Sequence, residues 1–207
     1  MTNIDFSFDP NWMETLTTPF MTNAFIAGLC IALAAGVMGY FTIVRHSTFA
    51  AHALAHIGLP GAILTITTGQ VIGFAVFDVL LVAVLAVIYR PLLFSSLDEQ
   101  VAQAKGVPNG VMNVAFMAIM AGVITIAVPA VGTLLIFALV ITPAATANIL
   151  TGTPFRSMVV SGLLCLAAIW GGLVISAMFP APPSFIIVTL STLFWAIAKG
   201  IEVWCRR

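Results

Sequence analysis

The chain has 207 residues, 61% of them hydrophobic and only 7% charged, with a mean hydropathy of +1.16. A soluble domain carries roughly 25% charged residues, so this is the composition of an integral membrane protein. Seven Lys/Arg balance seven Asp/Glu, too few for a nucleic-acid surface or a cleft for acidic substrates.

The first twenty residues contain Asp5, Asp9 and Glu14 and no basic residue. They lack the basic start of a secretory signal, so 1–20 is expected to remain as a short tail. Crossing the hydrocarbon takes about 20 apolar residues, and six segments qualify: 21–44, 71–89, 111–128, 132–150, 157–178 and 185–201. Soluble domains, low-complexity stretches and long linkers do not interrupt them. The expected fold is a single transmembrane domain over 1–207, an all-α polytopic helical bundle of six to seven spans. On the first span Gly28, Ala32 and Gly36 form a small-xxx-small ridge suited to close helix packing. Cys30, Cys165 and Cys205 are scattered without metal-ligand or disulfide spacing and read as packing residues.

All seven basic residues, Arg45, Arg90, Lys105, Arg156, Lys199, Arg206 and Arg207, fall at span ends or in short loops. The positive-inside rule places them on the cytoplasmic side. A single assignment satisfies it throughout, with the N-terminus outside and the C-terminus cytoplasmic. Arg45 then lies inside while the span from 71 starts outside, so the chain must cross an odd number of times between them. A poor span over 50–68 is the available segment.

Within that stretch His46, His52 and His56 are all the histidines of the chain. On a helix His52 and His56, four apart, share a face, and imidazole is a common transition-metal ligand. With no acid or cysteine nearby the pair reads either as a metal contact or as the wet face of an interfacial helix. A zinc protease is excluded, because Ala53 stands where the HExxH motif needs its glutamate. Asp78 lies inside an apolar span, where a carboxylate is costly. It reads as a functional or paired group facing the interior, or as a residue near the outer end touching water.

Segment 96–106, SLDEQVAQAKG, has the punctuation of a self-contained polar helix. Ser96 is expected at the N-cap with Glu99 at N3, a capping box, and Gly106 as a left-handed stop. Asp98 and Glu99 suit the positive end of the helix dipole and Lys105 the negative end. A capped helix held at the membrane surface suggests a handle that another protein grips. Further on, Thr142 and Pro143 begin a run of Pro and small residues that interrupts the fourth span. It reads either as a kinked packing interface or as a lining of a translocation path. Residues 180–183 (PAPP) form an outside turn. The GxxxxGK[ST] phosphate loop is missing, so any ATP-driven work needs a nucleotide-binding partner chain.

Three stretches carry a resemblance. Val131-Gly132-Thr133-Leu134-Leu135 through Pro143-Ala144-Ala145-Thr146-Ala147 is similar to the VG-LL…PAATA stretch of the ABC-3 family, the membrane permeases of bacterial ABC importers for zinc, manganese and iron. Arg90-Pro91-Leu92, Leu97-Asp98-Glu99 and Lys105-Gly106-Val107 resemble its cytoplasmic loop. Arg45-His46 through Ala53-Leu54-Ala55-His56, then Leu59-Pro60-Gly61, resembles the stretch after its first span.

The resemblance implies a bacterial inner-membrane permease, homodimeric or paired, forming one pore. A cytoplasmic ABC ATPase would seat on a coupling helix at 97–106, and an extracytoplasmic metal-binding protein would deliver the ion. Zinc, manganese or iron would be cargo and ATP would bind the partner, so the chain itself holds no cofactor and is not an enzyme. Ser96, Asp98, Glu99, Lys105 and Gly106 are the coupling candidates; His52, His56, Asp78, Thr142 and Pro143 are the path candidates, the two histidines also as metal contacts. The chain departs from the family in two places. Additional family spans are missing where Gly61-Ala62 runs into Ile63, so an odd-numbered block of spans is expected to be absent. The family's acidic residue near Ala51 is also lacking. Two alternatives stay open: a shortened, inactive permease that still docks partners, and an ATP-independent channel or secondary transporter using Asp78 as a relay.

Overall fold

In a computed structural model the described residues are Pro10, 12–57, 68–179 and 181–205, and they form nine α-helices and no strand. In chain order these are α1 (Trp12–Leu16), α2 (Pro19–Val44), α3 (Thr48–Ile57), α4 (Thr68–Leu97), α5 (Glu99–Ala104), α6 (Asn109–Val131), α7 (Thr133–Leu150), α8 (Pro154–Met178) and α9 (Pro183–Cys205). Six of them, α2, α4 and α6–α9, are long and apolar enough to cross a membrane. These are the six expected spans, and the all-α polytopic bundle is what the chain forms. The helices are apolar all round, as lipid and neighbouring helices both demand.

Helix α2 is the axis of the bundle. Thr18 caps it by accepting from the Met21 N–H, with Pro19 just inside the start. It packs against α4, α7 and α8, and its small residues make that approach possible. A Cβ on Gly36 would lie 2.5 Å from the Gly162 Cα, and one on Gly39 2.2 Å from the Val140 carbonyl oxygen. The Gly28–Ala32–Gly36 ridge therefore faces α8, and Gly39 faces α7. Phe41, Phe116, Met120, Ile124, Ile136 and Leu139 fill the core between α2, α6 and α7.

These contacts set the polarity of the bundle. Gly36 meets Gly162 and Gly28 meets Ile169, so α8 runs antiparallel to α2 and brings Arg156 beside the C-terminus of α2. Gly172 meets Ile187 and Gly171 meets Leu190, so α9 returns antiparallel and carries Lys199 to the same end. Arg45 bonds to the end of α4 and the start of α6 there, and Lys105 lies in the connection between them. The basic residues at these helix ends thus gather at one end of the bundle.

Three local expectations are corrected. Helix α4 does not stop near Tyr89; it runs unbroken through Arg90 and Pro91 to Leu97, so its 30 residues span about 45 Å against a hydrocarbon core of roughly 30 Å. Helix α7 is not interrupted at Thr142 and Pro143; it continues to Leu150 with Pro143 buried inside it. The polar helix of 96–106 is shorter than its punctuation suggests, six residues from Glu99 to Ala104.

The expected poor span over 50–68 is represented by α3, whose ten residues reach about 15 Å, half the hydrocarbon thickness. Residues 58–67 lie outside the described residues. Helices α6 and α7 are joined by Gly132 alone, at φ +86°, and α3 packs against both of them. The α3 side that carries Ala51 enters the core.

Candidate functional site

The connection between α4 and α6 is ordered by its own caps. Asp98, in extended conformation, accepts from the Val101 N–H at 3.0 Å and starts α5. Ser96 is therefore not the N-cap: it is still inside α4, donating its hydroxyl to the Leu92 carbonyl at 2.6 Å. The capping box expected between Ser96 and Glu99 does not form. Gly106 is the left-handed stop, at φ +79°. Its N–H reaches the Gln103 carbonyl and the Val107 N–H reaches the Ala102 carbonyl, the paired bonds of a Schellman motif. Asn109 donates to the Glu99 carbonyl at 2.8 Å and ties the connection to α6. Lys105 lies 5.0 Å above the Phe94 ring. Ala102 is fully buried as the anchor, while Leu97 and Val101 remain exposed with Asp98, Glu99 and Gln103.

Arg45, which composition and spacing had marked only as an orientation signal, holds this corner together. Its guanidinium donates to the Ser96 hydroxyl at 3.0 Å and to the Asn113 side-chain oxygen, and stacks 5.2 Å from the centre of the Phe116 ring. Burial pushes the guanidinium down from its ordinary pKa and the Glu99 carboxylate pulls it back up; an arginine stays charged under both. A polar cleft of about 630 Å³ opens beside it, lined by His46, Ser47, Ser95, Glu99 and Asn113 among others. Helix α2 ends here in a second Schellman motif. The His46 N–H bonds to Ile43 and the Ser47 N–H to Thr42, with His46 at φ +52° where glycine is usual.

The path candidates lie on three helices, α3, α4 and α7. The backbone of α3 puts His52 and His56 on one helix face, as their spacing requires. The half-buried His52 ring sits edge-on to Phe137 of α7, centroids 4.8 Å apart; the His56 side chain lies outside what the structure describes. Thr142 and Pro143 lie on α7, the former half-buried and the latter buried. Thr146 donates back to the Thr142 carbonyl at 2.8 Å.

Asp78 belongs to another quarter of the bundle. It is only 8% exposed, packed between α2, α4 and α6 beside Cys30. Its second oxygen has no partner, and a void of about 10 Å³, the size of one water, adjoins the pair. Asp78 is thus an interior group rather than one touching water at a span end, and Cys30, a buried core residue, lies beside it. Among the described residues no three of His, Cys, Asp and Glu gather as a metal site.

The match to known proteins agrees with this architecture. The model of the ABC 3 transport family matches residues 17–64 and 59–201, and the chain belongs to that family. It is 25% identical over 273 residues to the manganese transport system membrane protein MntC of Halalkalibacterium halodurans, covering 94% of this chain and 90% of that one. It is 28% identical over 139 residues to the high-affinity zinc uptake system membrane protein ZnuB of Buchnera aphidicola. That match covers 67% of this chain and 53% of the relative, so the chain spans about half of it. In fold it is similar to PsaBC from Streptococcus pneumoniae in complex with Fab, with a TM-score of 0.85 at 20% identity over 91% of this chain and 94% of that one.

An alignment of 273 residues is longer than the whole 207-residue chain, so MntC carries residues with no counterpart here. The two family matches meet at 59–64, which is where the sequence reading puts the missing block.

Proposed function

We propose that this chain is the membrane permease subunit of an ATP-driven importer of a divalent metal, zinc, manganese or iron. ATP is hydrolysed by a separate cytoplasmic ATPase that seats on the α5 corner. Alternating access then carries the ion between spans of a paired permease, delivered from outside by a metal-binding protein. The basic end of the bundle is the cytoplasmic end, the N-terminus lies outside, and the chain forms one transmembrane domain in a bacterial inner membrane.

The observation that carries this reading is α5 itself. A six-residue helix is marginal by itself in water, yet this one is capped by Asp98, stopped by Gly106 and anchored through Ala102. The corner exposes Leu97 at the end of α4 and Val101 of α5 among acidic and amide groups, a small apolar centre with a polar rim, as docking surfaces have. Ser96, Asp98, Glu99, Lys105 and Gly106 shape that corner. His52 and His56 on α3, with Thr142 and Pro143 on α7, are the residues proposed along the path, and the histidines are the proposed metal contacts. Asp78 stands apart from them.

Docking is tested by co-purifying the chain with an ABC-type ATPase subunit of a metal importer, beside Leu97→Asp/Val101→Asp. The parent is expected to retain the ATPase and the variant to lose it. Equal retention would remove α5 as the seat. A second reading is supported by the residues that relatives carry and this chain lacks: a shortened permease that docks its ATPase without moving metal.

A further inference from the structure

Arg45 joins three separate pieces of the bundle's basic end. It caps α2 as the last residue before the left-handed His46, it binds Ser96 at the end of α4, and it binds Asn113 and covers Phe116 at the start of α6. Ser96 and Asn113 are the two roots of the connection that contains α5. The guanidinium therefore bridges both roots and ties them to the corner from which α3 departs.

We infer that Arg45 is the positioning residue through which a displacement of α5 reaches α3, the helix that carries His52. The inference rests on the proposed seating of an ATPase on α5 and adds the route by which that seating acts. Three features favour transmission over a purely static role. The guanidinium is a planar fork, and two of its arms are committed to different helices, so moving one root drags the other. The joint is polar and half-exposed, beside an open cleft of about 630 Å³, so it has room to move where the packed core does not. The α2–α3 corner is held in a conformation that L-residues rarely adopt, and such strained corners are places where a fold can switch. Beyond the corner, Ser47 accepts from the Ala51 N–H, and Ala51 is buried in the core, so α3 is rigidly continuous with it.

The test uses the full chain in lipid nanodiscs with spin labels at Gln103 on α5 and Phe49 on α3, both exposed. The probe is an ABC-type ATPase subunit of a metal importer added with ATP. In the parent both labels are expected to shift. In Arg45→Gln the Gln103 label still shifts and the Phe49 label does not, and metal uptake falls about tenfold with ATPase binding retained. Because Arg45→Gln could fail to insert, Asn113→Ala removes the guanidinium's acceptor on α6 from the other side and is expected to behave alike. A Phe49 label that shifts in both variants as in the parent, or that shifts in none of them, overturns the inference. A Gln103 label that ignores the ATPase in the parent overturns the seating on α5 first, and the route with it.

Discussion

Gly36 on α2 and Gly162 on α8 leave no room between their backbones: a Cβ on Gly36 would stand 2.5 Å from the Gly162 Cα and 2.6 Å from its nitrogen. Lipid supplies no hydrophobic drive for spans to associate, so close backbone packing is what joins them. We predict that Gly36→Val forces α2 and α8 apart and lowers the melting temperature sharply, with a cost of the order of an overpacked core, about 1–3 kcal/mol. Gly162→Ala, whose added Cβ meets its nearest neighbour at 3.8 Å, is expected to be mild. Thermal unfolding in detergent ranks the two, and equal effects would contradict the packing described.

The cap of α5 gives an asymmetric pair. Asp98→Ala removes the acceptor for the Val101 N–H and is expected to cost about 1 kcal/mol locally. Ser96→Ala leaves that cap intact, since Ser96 bonds back to Leu92 and to Arg45. Amide exchange of Val101 reads the difference directly: it should speed up in Asp98→Ala and stay near the parent in Ser96→Ala. The opposite order would restore Ser96 as the cap.

His46 occupies a left-handed position at φ +52°. Left-handed backbone costs a residue with a Cβ about 1–2 kcal/mol, partly offset by the entropy glycine brings to the unfolded chain. His46→Gly should therefore raise stability by up to ~1 kcal/mol, seen as a higher melting temperature. A lower one would show that the imidazole itself holds the corner.

Asp78 keeps one oxygen without a partner in the interior, and no cationic side chain is among the residues lining its void. Asp78→Asn, nearly the same size and always neutral, is predicted to melt at or above the parent's temperature, because it removes the cost of burying a charge. A drop of several degrees would mean that the carboxylate is paired in a way the Cys30 contact alone does not provide.

Much of the fold was legible because hydropathy over 20-residue windows is a strong signal, and each of the six spans lies where it was read. Boundaries were less so. Ser96 and Asp98 are both good caps two residues apart, and the capping-box spacing to Glu99 favoured the wrong one; what decided it was that α4 continues helically through Pro91 to Leu97. Pro143 likewise suggested an interruption, but the helix is supported by its packing on α2 at Gly39. The role of Arg45 was out of reach, since its partners lie 51 and 68 residues along the chain.

The most direct measurement is radiolabelled zinc and manganese uptake by cells expressing this chain with an ABC-type ATPase subunit of a metal importer, beside Asp98→Ala/Glu99→Ala. The account predicts ATP-dependent uptake of at least one of the metals by the parent chain and its loss in the variant. A parent chain that inserts stably and retains the ATPase yet moves neither metal would contradict the importer and leave the shortened docking subunit in its place.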